Sequence, residues 1–322
     1  MLRISILVLG LLSVGRVAAA DDVDDLIAQL GDKSPDVRRK AAGKLGMMVR
    51  EDRRLDPLEK LVTGDPDPKV RLEAFAALRP GLIGIGTAPR WKKLRVKVLL
   101  NDADVAMRRS AANDLRPAEP DTFDAQLAAL KKETDDQVLS TLALSLGDAK
   151  APGLADALLA AVERGVTTGD VLSSLGRTKD PRAVDALAAA ARRGVGGAIN
   201  ALIWTGDPKV ADVLVELLPA ATGDNVDFVV DGLSKFPDAR AVPDLLKTWT
   251  KLSKADKKRS MRPYNIDMGE DSDQMPFSLQ EALREIAAID PAPCAAAKTA
   301  KGDLKKYLKK ILPKKCGAGA AK

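Results

Sequence analysis

The residue types with which this chain could do chemistry are few. Its 322 residues include no histidine. That removes Ser–His and Cys–His nucleophile pairs, imidazole acid–base work and every histidine-containing metal site. Two cysteines, Cys294 and Cys316, stand 22 residues apart, too few for a zinc cluster. In an oxidising compartment they are expected to form one disulfide that staples the end of the chain; free or intermolecular thiols are the other reading. Gly81, Gly84 and Gly86 are spaced as in a phosphate-cradling loop. No strand precedes them and no Lys-Ser or Lys-Thr follows at the required spacing, so they read as a connection between helical units. Asp271-Ser272-Asp273 begins like a calcium loop but lacks the glycine and the closing glutamate at the right distances. Paired carboxylates can hydrolyse glycosides, yet only ten aromatic side chains exist to serve as sugar platforms. The expectation is a non-enzymatic chain with no catalytic residue, no cofactor and no metal site.

The elements that position these residues announce themselves as a repeat. Asp32-Lys33-Ser34-Pro35-Asp36-Val37-Arg38 recurs as Asp65-Pro66-Asp67-Pro68-Lys69-Val70-Arg71 and as Asp102-Ala103-Asp104-Val105-Ala106-Met107-Arg108, and Glu133 opens a fourth copy. The starting points lie 33, 37 and 31 residues apart, a period that fits a helix-turn-helix unit. After each start the apolar residues fall in the same columns: Val37, Ala41, Ala42, Leu45; Val70, Ala74, Phe75, Leu78; Met107, Ala111, Ala112, Leu115; Val138, Leu142, Ala143, Leu146. Spacings of four, five and eight make one helical stripe and cannot alternate across a strand. The segments Val23–Leu30, Leu55–Val62, Trp91–Leu100 and Phe123–Leu130 supply the first helix of each unit. Beyond residue 147 the punctuation changes to Asp180-Pro181-Arg182, echoed by Asp207-Pro208-Lys209 and Asp238-Ala239-Arg240. There an aspartate opens the first helix and a proline sits where its missing N–H costs nothing.

Both styles of turn resemble those of HEAT repeats, and the second is similar to the short HEAT-like variety also found in phycobilisome lyases. The resemblance covers nearly all of residues 21–290. It implies an all-α fold, a right-handed α-solenoid of about eight antiparallel helix pairs whose second helices line a concave side and hold other proteins. No residue marks a bilin pocket.

On a helix turning about 100° per residue, the apolar columns centre near 65°, and Arg38, Arg71 and Arg108 point close to 100°, inside the apolar arc. A guanidinium there needs a partner. The nearest candidate along the chain is the aspartate six residues earlier: Asp32, Asp65 and Asp102. An inter-repeat hydrogen-bond ladder is the structural reading, and a row of ligand-binding arginines the functional one. In the fourth unit Leu139 replaces the arginine, so the charge leaves the apolar face.

Arg3 followed by an apolar run from Ile4 to Val14 and by Ala18-Ala19-Ala20 reads as a cleaved leader, residues 1–20. The mature chain is expected in the bacterial periplasm or outside the cell. Residues 21–290 form the array, with an insertion at 254–277, and residues 291–322 a C-terminal cap and tail. The formal charge of +6 belongs to that tail: residues 298–322 hold nine lysines against Asp303, whereas residues 21–297 carry 40 basic and 44 acidic side chains.

Three departures from the rhythm attract functional interest. Arg90-Trp91-Lys92-Lys93-Leu94-Arg95-Val96-Lys97 suits an anionic surface or is a solvated outer face. The insertion, with Tyr264, is a partner contact or an inert excursion. The tail from Lys301 to Lys315 is an amphipathic basic helix that caps the last repeat or attaches to an anionic surface. The primary expectation is an exported scaffold for a protein partner, contacted by Arg39, Lys40, Arg109 and Ser110 on the second helices together with Trp91 and Tyr264. The alternative is a membrane-surface or polyanion binder acting through the terminal lysines, with no transmembrane segment and no specific nucleic acid. A lyase-like or hydrolytic enzyme comes last.

Overall fold

The computed structural model describes residues 22–48, 51–79, 88–222, 224–252 and 275–316. The leader, the glycines at 81, 84 and 86, Tyr264 and nearly all of the 254–277 insertion lie outside them. Among the described residues every regular element is helical. None of the described helices is long and apolar enough to cross a membrane. The chain divides at Gly153 into two compact units.

The first unit holds α1 (22–29), α2 (Pro35–Met47), α3 (Leu55–Gly64), α4 (Pro68–Ala77), α5 (Ala88–Asn101), α6 (Val105–Asp114), α7 (Phe123–Lys132) and α8 (Asp136–Asp148). Helix α3 packs on α4, α5 on α6 and α7 on α8, and the second helices α2, α4, α6 and α8 stack in sequence. The columns explain the stacking. Ala41, Ala42, Leu45, Ala74, Phe75, Met107, Ala111, Leu142 and Leu146 are completely or almost completely withdrawn from solvent, and each leucine so buried contributes about 2 kcal/mol. Alanine at most positions of the second and third columns lets neighbouring helices approach closely. Val37, half-buried, is the exception at the edge. In the second, third and fourth repeats the helix start follows from the third residue: Asp67 accepts from the Lys69 and Val70 N–H groups at 2.8 and 3.3 Å, Asp104 from Ala106 and Met107 at 2.9 and 3.1 Å, and Asp135 from Val138 at 3.0 Å. Each such cap is worth about 1 kcal/mol.

The second unit holds α9 (Leu154–Glu163), α10 (Gly169–Arg177), α11 (Arg182–Arg192), α12 (Ala198–Trp204), α13 (Val210–Leu217), α14 (Asp224–Lys235), α15 (Val242–Lys251), α16 (Met275–Ile289), α17 (Ala292–Thr299) and α18 (Gly302–Ile311). Helices α10 and α12 come close at one glycine. A Cβ placed on Gly176 of α10 would sit 2.0 Å from the Ala201 carbonyl oxygen of α12, so only glycine fits. The turn that follows α10 recurs after α12. Thr178 and Thr205 each donate a hydroxyl to the carbonyl three residues back, at 2.6 and 2.7 Å, while Lys179 and Gly206 take positive φ. The unit ends in a cap. Tyr307 of α18 stacks on Trp249 of α15 at 5.0 Å, Arg284 donates to the Ile311 carbonyl at 2.8 Å, and Cys294 is bridged to Cys316 across a Cα separation of 6.0 Å.

Candidate interaction surface

The predicted ladder exists, with partners shifted by one repeat. Arg38 donates through Nε and Nη2 to both carboxylate oxygens of Asp65, at 2.7 and 2.8 Å, and through Nη1 to the backbone carbonyl of Asp32 at 2.9 Å. Arg71 binds Asp102 at 3.1 and 2.8 Å and the Asp65 carbonyl at 3.0 Å. Arg108 binds Glu133 at 2.8 and 2.9 Å and the Asp102 carbonyl at 3.1 Å. The carboxylate expected as partner, six residues back, thus supplies only its main chain. Its side chain bends over its own turn instead: Asp32 accepts from Ser34 N–H at 2.7 Å, Asp65 from Asp67 and Asp104 N–H binds Asp102, both at 2.9 Å. One acidic residue therefore closes its own turn and receives the guanidinium of the preceding repeat. Glu133, longer by a methylene, does both, accepting also from Thr134 and Asp135 N–H.

These carboxylates are largely covered, with side chains 3%, 10% and 5% exposed for Asp65, Asp102 and Glu133. Burial works against ionisation of Asp65, but the Arg38 guanidinium and the Asp67 N–H outweigh it and hold the carboxyl below the usual aspartate range. Glu133 is likewise desolvated, and Arg108 with the Asp135 and Thr134 N–H groups keeps it below the usual glutamate range. Two-pronged pairing of this kind fixes both distance and orientation between repeats. With every prong engaged inside the array, the row of arginines is structural.

A family model described as HEAT repeats matches residues 3–79. That segment carries HEAT repeats. No curated protein matches it. A solved structure titled as that of an engineered protein covers 90% of this chain and 87% of its own, at 19% identity and a TM-score of 0.33. The ladder carries the repeat unit past the matched segment, through the turns at Asp102 and Glu133.

Within the first unit several expected contact residues are engaged elsewhere. Trp91 is 3% exposed and lies 4.6 Å from the Phe75 ring, so it fills the gap between α4 and α5 and is withdrawn from any partner. Its helix is not a free basic face either. Arg90 pairs with Asp56 and Glu59 of α3, Lys92 reaches Glu119 and Asp121 at 2.6 and 2.9 Å, and Arg95 lies over Trp91 while donating to the Asp114 carbonyl at 2.7 Å. Arg109 is held by Asp135 at 2.9 and 2.6 Å, and Ser110 accepts from Arg79 at 3.2 Å. Lys93 and Lys97 of that helix stand exposed.

Helix α2 is different. Arg39, Lys40, Lys44 and Met47 project on one arc of about 140°, opposite Ala42 and Leu45, and Met47 is 79% exposed. Arg39 makes one loose contact, 3.3 Å to Asp36 on its own helix. Met47 is the residue that column arithmetic missed; its signal is an apolar side chain ten residues after Val37, off the buried stripe.

The second unit carries ion pairs the sequence had not suggested. Arg182 binds Asp180 beside it and Asp156 of α9 at 2.6 and 2.7 Å, and Arg240 binds Asp238 and Asp212 of α13 in the same way. The three-residue Asp-X-Arg turn repeated at 180 and 238 was the available sign. These pairs are exposed, and such pairs add little to stability.

Proposed function

We propose that the chain is a non-enzymatic scaffold that holds a protein partner on the second helices of its first unit, centred on α2. HEAT repeats support a binding role, since their folding leaves long helix faces uncommitted. The observation that carries the choice of face is α2 itself. It joins three exposed cations to an exposed methionine, whereas Arg90 and Lys92 of α5 and Arg109 of α6 are tied to neighbouring carboxylates. Methionine adapts its shape to varied apolar surfaces, and the flanking Arg39, Lys40 and Lys44 select an acidic rim. The partner is therefore an acidic protein with a small apolar anchor.

The place of work in this proposal is the periplasm or the extracellular space. The leader-like residues 1–20 and the bridged cysteine pair both support that reading. Amino-terminal sequencing of protein recovered from envelope, medium and cytoplasm tests it, with mature protein starting at Asp21 outside the cytoplasm as the expected result.

Binding is tested by comparing the natural chain with Lys40→Glu/Lys44→Glu and with Met47→Ala in affinity capture from the native envelope, followed by calorimetry with the captured protein. The expected result is loss of one acidic partner in the charge-reversed variant and a weakening of about tenfold for Met47→Ala, with unchanged melting temperatures. Retention of the partner by both variants overturns the assignment.

A further inference from the structure

Cations in the array are matched to carboxylates almost wherever they cluster, as Arg38, Arg71, Arg108, Arg192 and Arg240 show. Residues 298–315 break that rule, with eight lysines against the single acid Asp303, which reaches Lys306 at 3.5 Å. The lysines are also ordered in space. On α18 Tyr307, Leu308 and Ile311 are 0%, 0% and 4% exposed and cover an arc of about 100°. Lys305, Lys306, Lys309 and Lys310 occupy the opposite arc, and the last three stand fully in solvent. The helix cannot roll. Tyr307 is stacked on Trp249, Arg284 holds the Ile311 carbonyl, and the Cys294–Cys316 bridge ties its far end to α17.

We propose that this lysine face docks the protein on an anionic phospholipid bilayer by charge alone, without insertion. Three features select that partner. Ammonium groups are compact point charges without the planar fork that grips one phosphate from two sides, so they suit a plane of diffuse negative charge better than a single pocketed anion. The apolar stripe that would enter hydrocarbon is already committed to the cap, which separates this helix from amphipathic anchors that bury such a stripe among the lipids. No aromatic residue shares the lysine face of α18 to stack a base or a sugar. The ten-residue helix presents its row, from Lys305 to Lys310, over about 8 Å, the scale of one headgroup and its neighbour. The α2 face takes no part, so the two proposals stand or fall separately.

The test is co-sedimentation of the full chain with vesicles of phosphatidylcholine alone or with about one-third phosphatidylglycerol, at about 50 and 500 mM salt. Binding is expected only to the anionic vesicles and only at low salt. Each lysine changed to glutamine in Lys306→Gln, Lys309→Gln and Lys310→Gln should weaken it about fivefold, additively. The matching Lys→Arg variants keep the charge and should bind as the natural chain does, with identical melting curves throughout. Tyrosine and tryptophan emission should not change on binding, because Tyr307 and Trp249 stay in the cap. Binding that survives high salt, or a lipid-quenched emission change, would replace charge docking with insertion and overturn the proposal. So would affinity for heparin or duplex DNA without affinity for the vesicles, or the absence of binding to any of them.

Discussion

Arg71 is the side chain whose removal says most about how the repeats cohere. It joins the Asp102 carboxylate through two charge-assisted hydrogen bonds, but meets Asp65 only at the main-chain carbonyl. Asp102→Ala strands a guanidinium that is 15% exposed and also releases the Asp104 N–H, for an expected loss of about 2–4 kcal/mol. Arg71→Met keeps the aliphatic stem packed and leaves Asp102 its turn hydrogen bond, so the loss should be smaller, about 1–2 kcal/mol. The double variant should recover about 1–2 kcal/mol relative to the sum. A second cycle is the control. Asp65→Ala combined with Arg71→Met should be additive to within about 0.5 kcal/mol, because the Asp65 carboxylate is occupied by Arg38. Urea denaturation followed by circular dichroism measures the five variants and the natural chain, with equal m-values required for the comparison. Stronger coupling between Arg71 and Asp65 than between Arg71 and Asp102 would refute the forward-reaching ladder.

Acid should weaken the first unit in a predictable direction. Asp65 and Glu133 are both held below their unfolded values of about 3.9 and 4.3, so their contribution is complete above those values and disappears as pH falls through the depressed folded ones; the urea midpoint should drop between about pH 5 and pH 2, less so in Glu133→Gln, and an unchanged slope in that variant would argue against the linkage. Gly176→Ala should destabilise the second unit by about 3 kcal/mol or more, since the new Cβ meets a main-chain oxygen that cannot step aside. Gly169→Ala, with open space around it, should be neutral or stabilise by about 0.5 kcal/mol. Thermal melts of the two variants check both.

Helix content and the buried columns of the first unit were legible because period and burial are local properties of a helix. The two-pronged partner was not. Reasoning along one helix favours the aspartate six residues back, yet stacking brings a carboxylate from 25 to 31 residues ahead to the guanidinium, and a turn-closing aspartate has its near oxygen already committed. Trp91 misled for a related reason. Lysines and arginines around it suggested an outer face, but Arg90 and Lys92 have their counter-charges about one repeat away, Arg95 binds a main-chain carbonyl of the paired helix α6, and the helix keeps its large ring for the gap beside Phe75. Searching for opposite charges about one period apart would have found these pairs. Met47 escaped because an exposed apolar residue breaks no helical rule; only its surroundings make it noticeable.

The forward reach of the arginines gives each repeat a head and a tail. A unit running from one acidic turn to the residue before the next offers a carboxylate to the unit before it and, six residues on, a guanidinium to the unit after it, so the segments that start at Asp65 and at Asp102 make matching joints. Duplicating or excising one whole period leaves every bond in the remaining series with a partner of the right kind, whereas a cut in mid-period orphans a charge at the joint. Leu139, fully buried where the next arginine would stand, is the stop in this grammar: a unit that accepts the series and passes nothing on. Array length in such a protein can change in steps of one repeat without renegotiating the core, and the terminator fixes where the series ends.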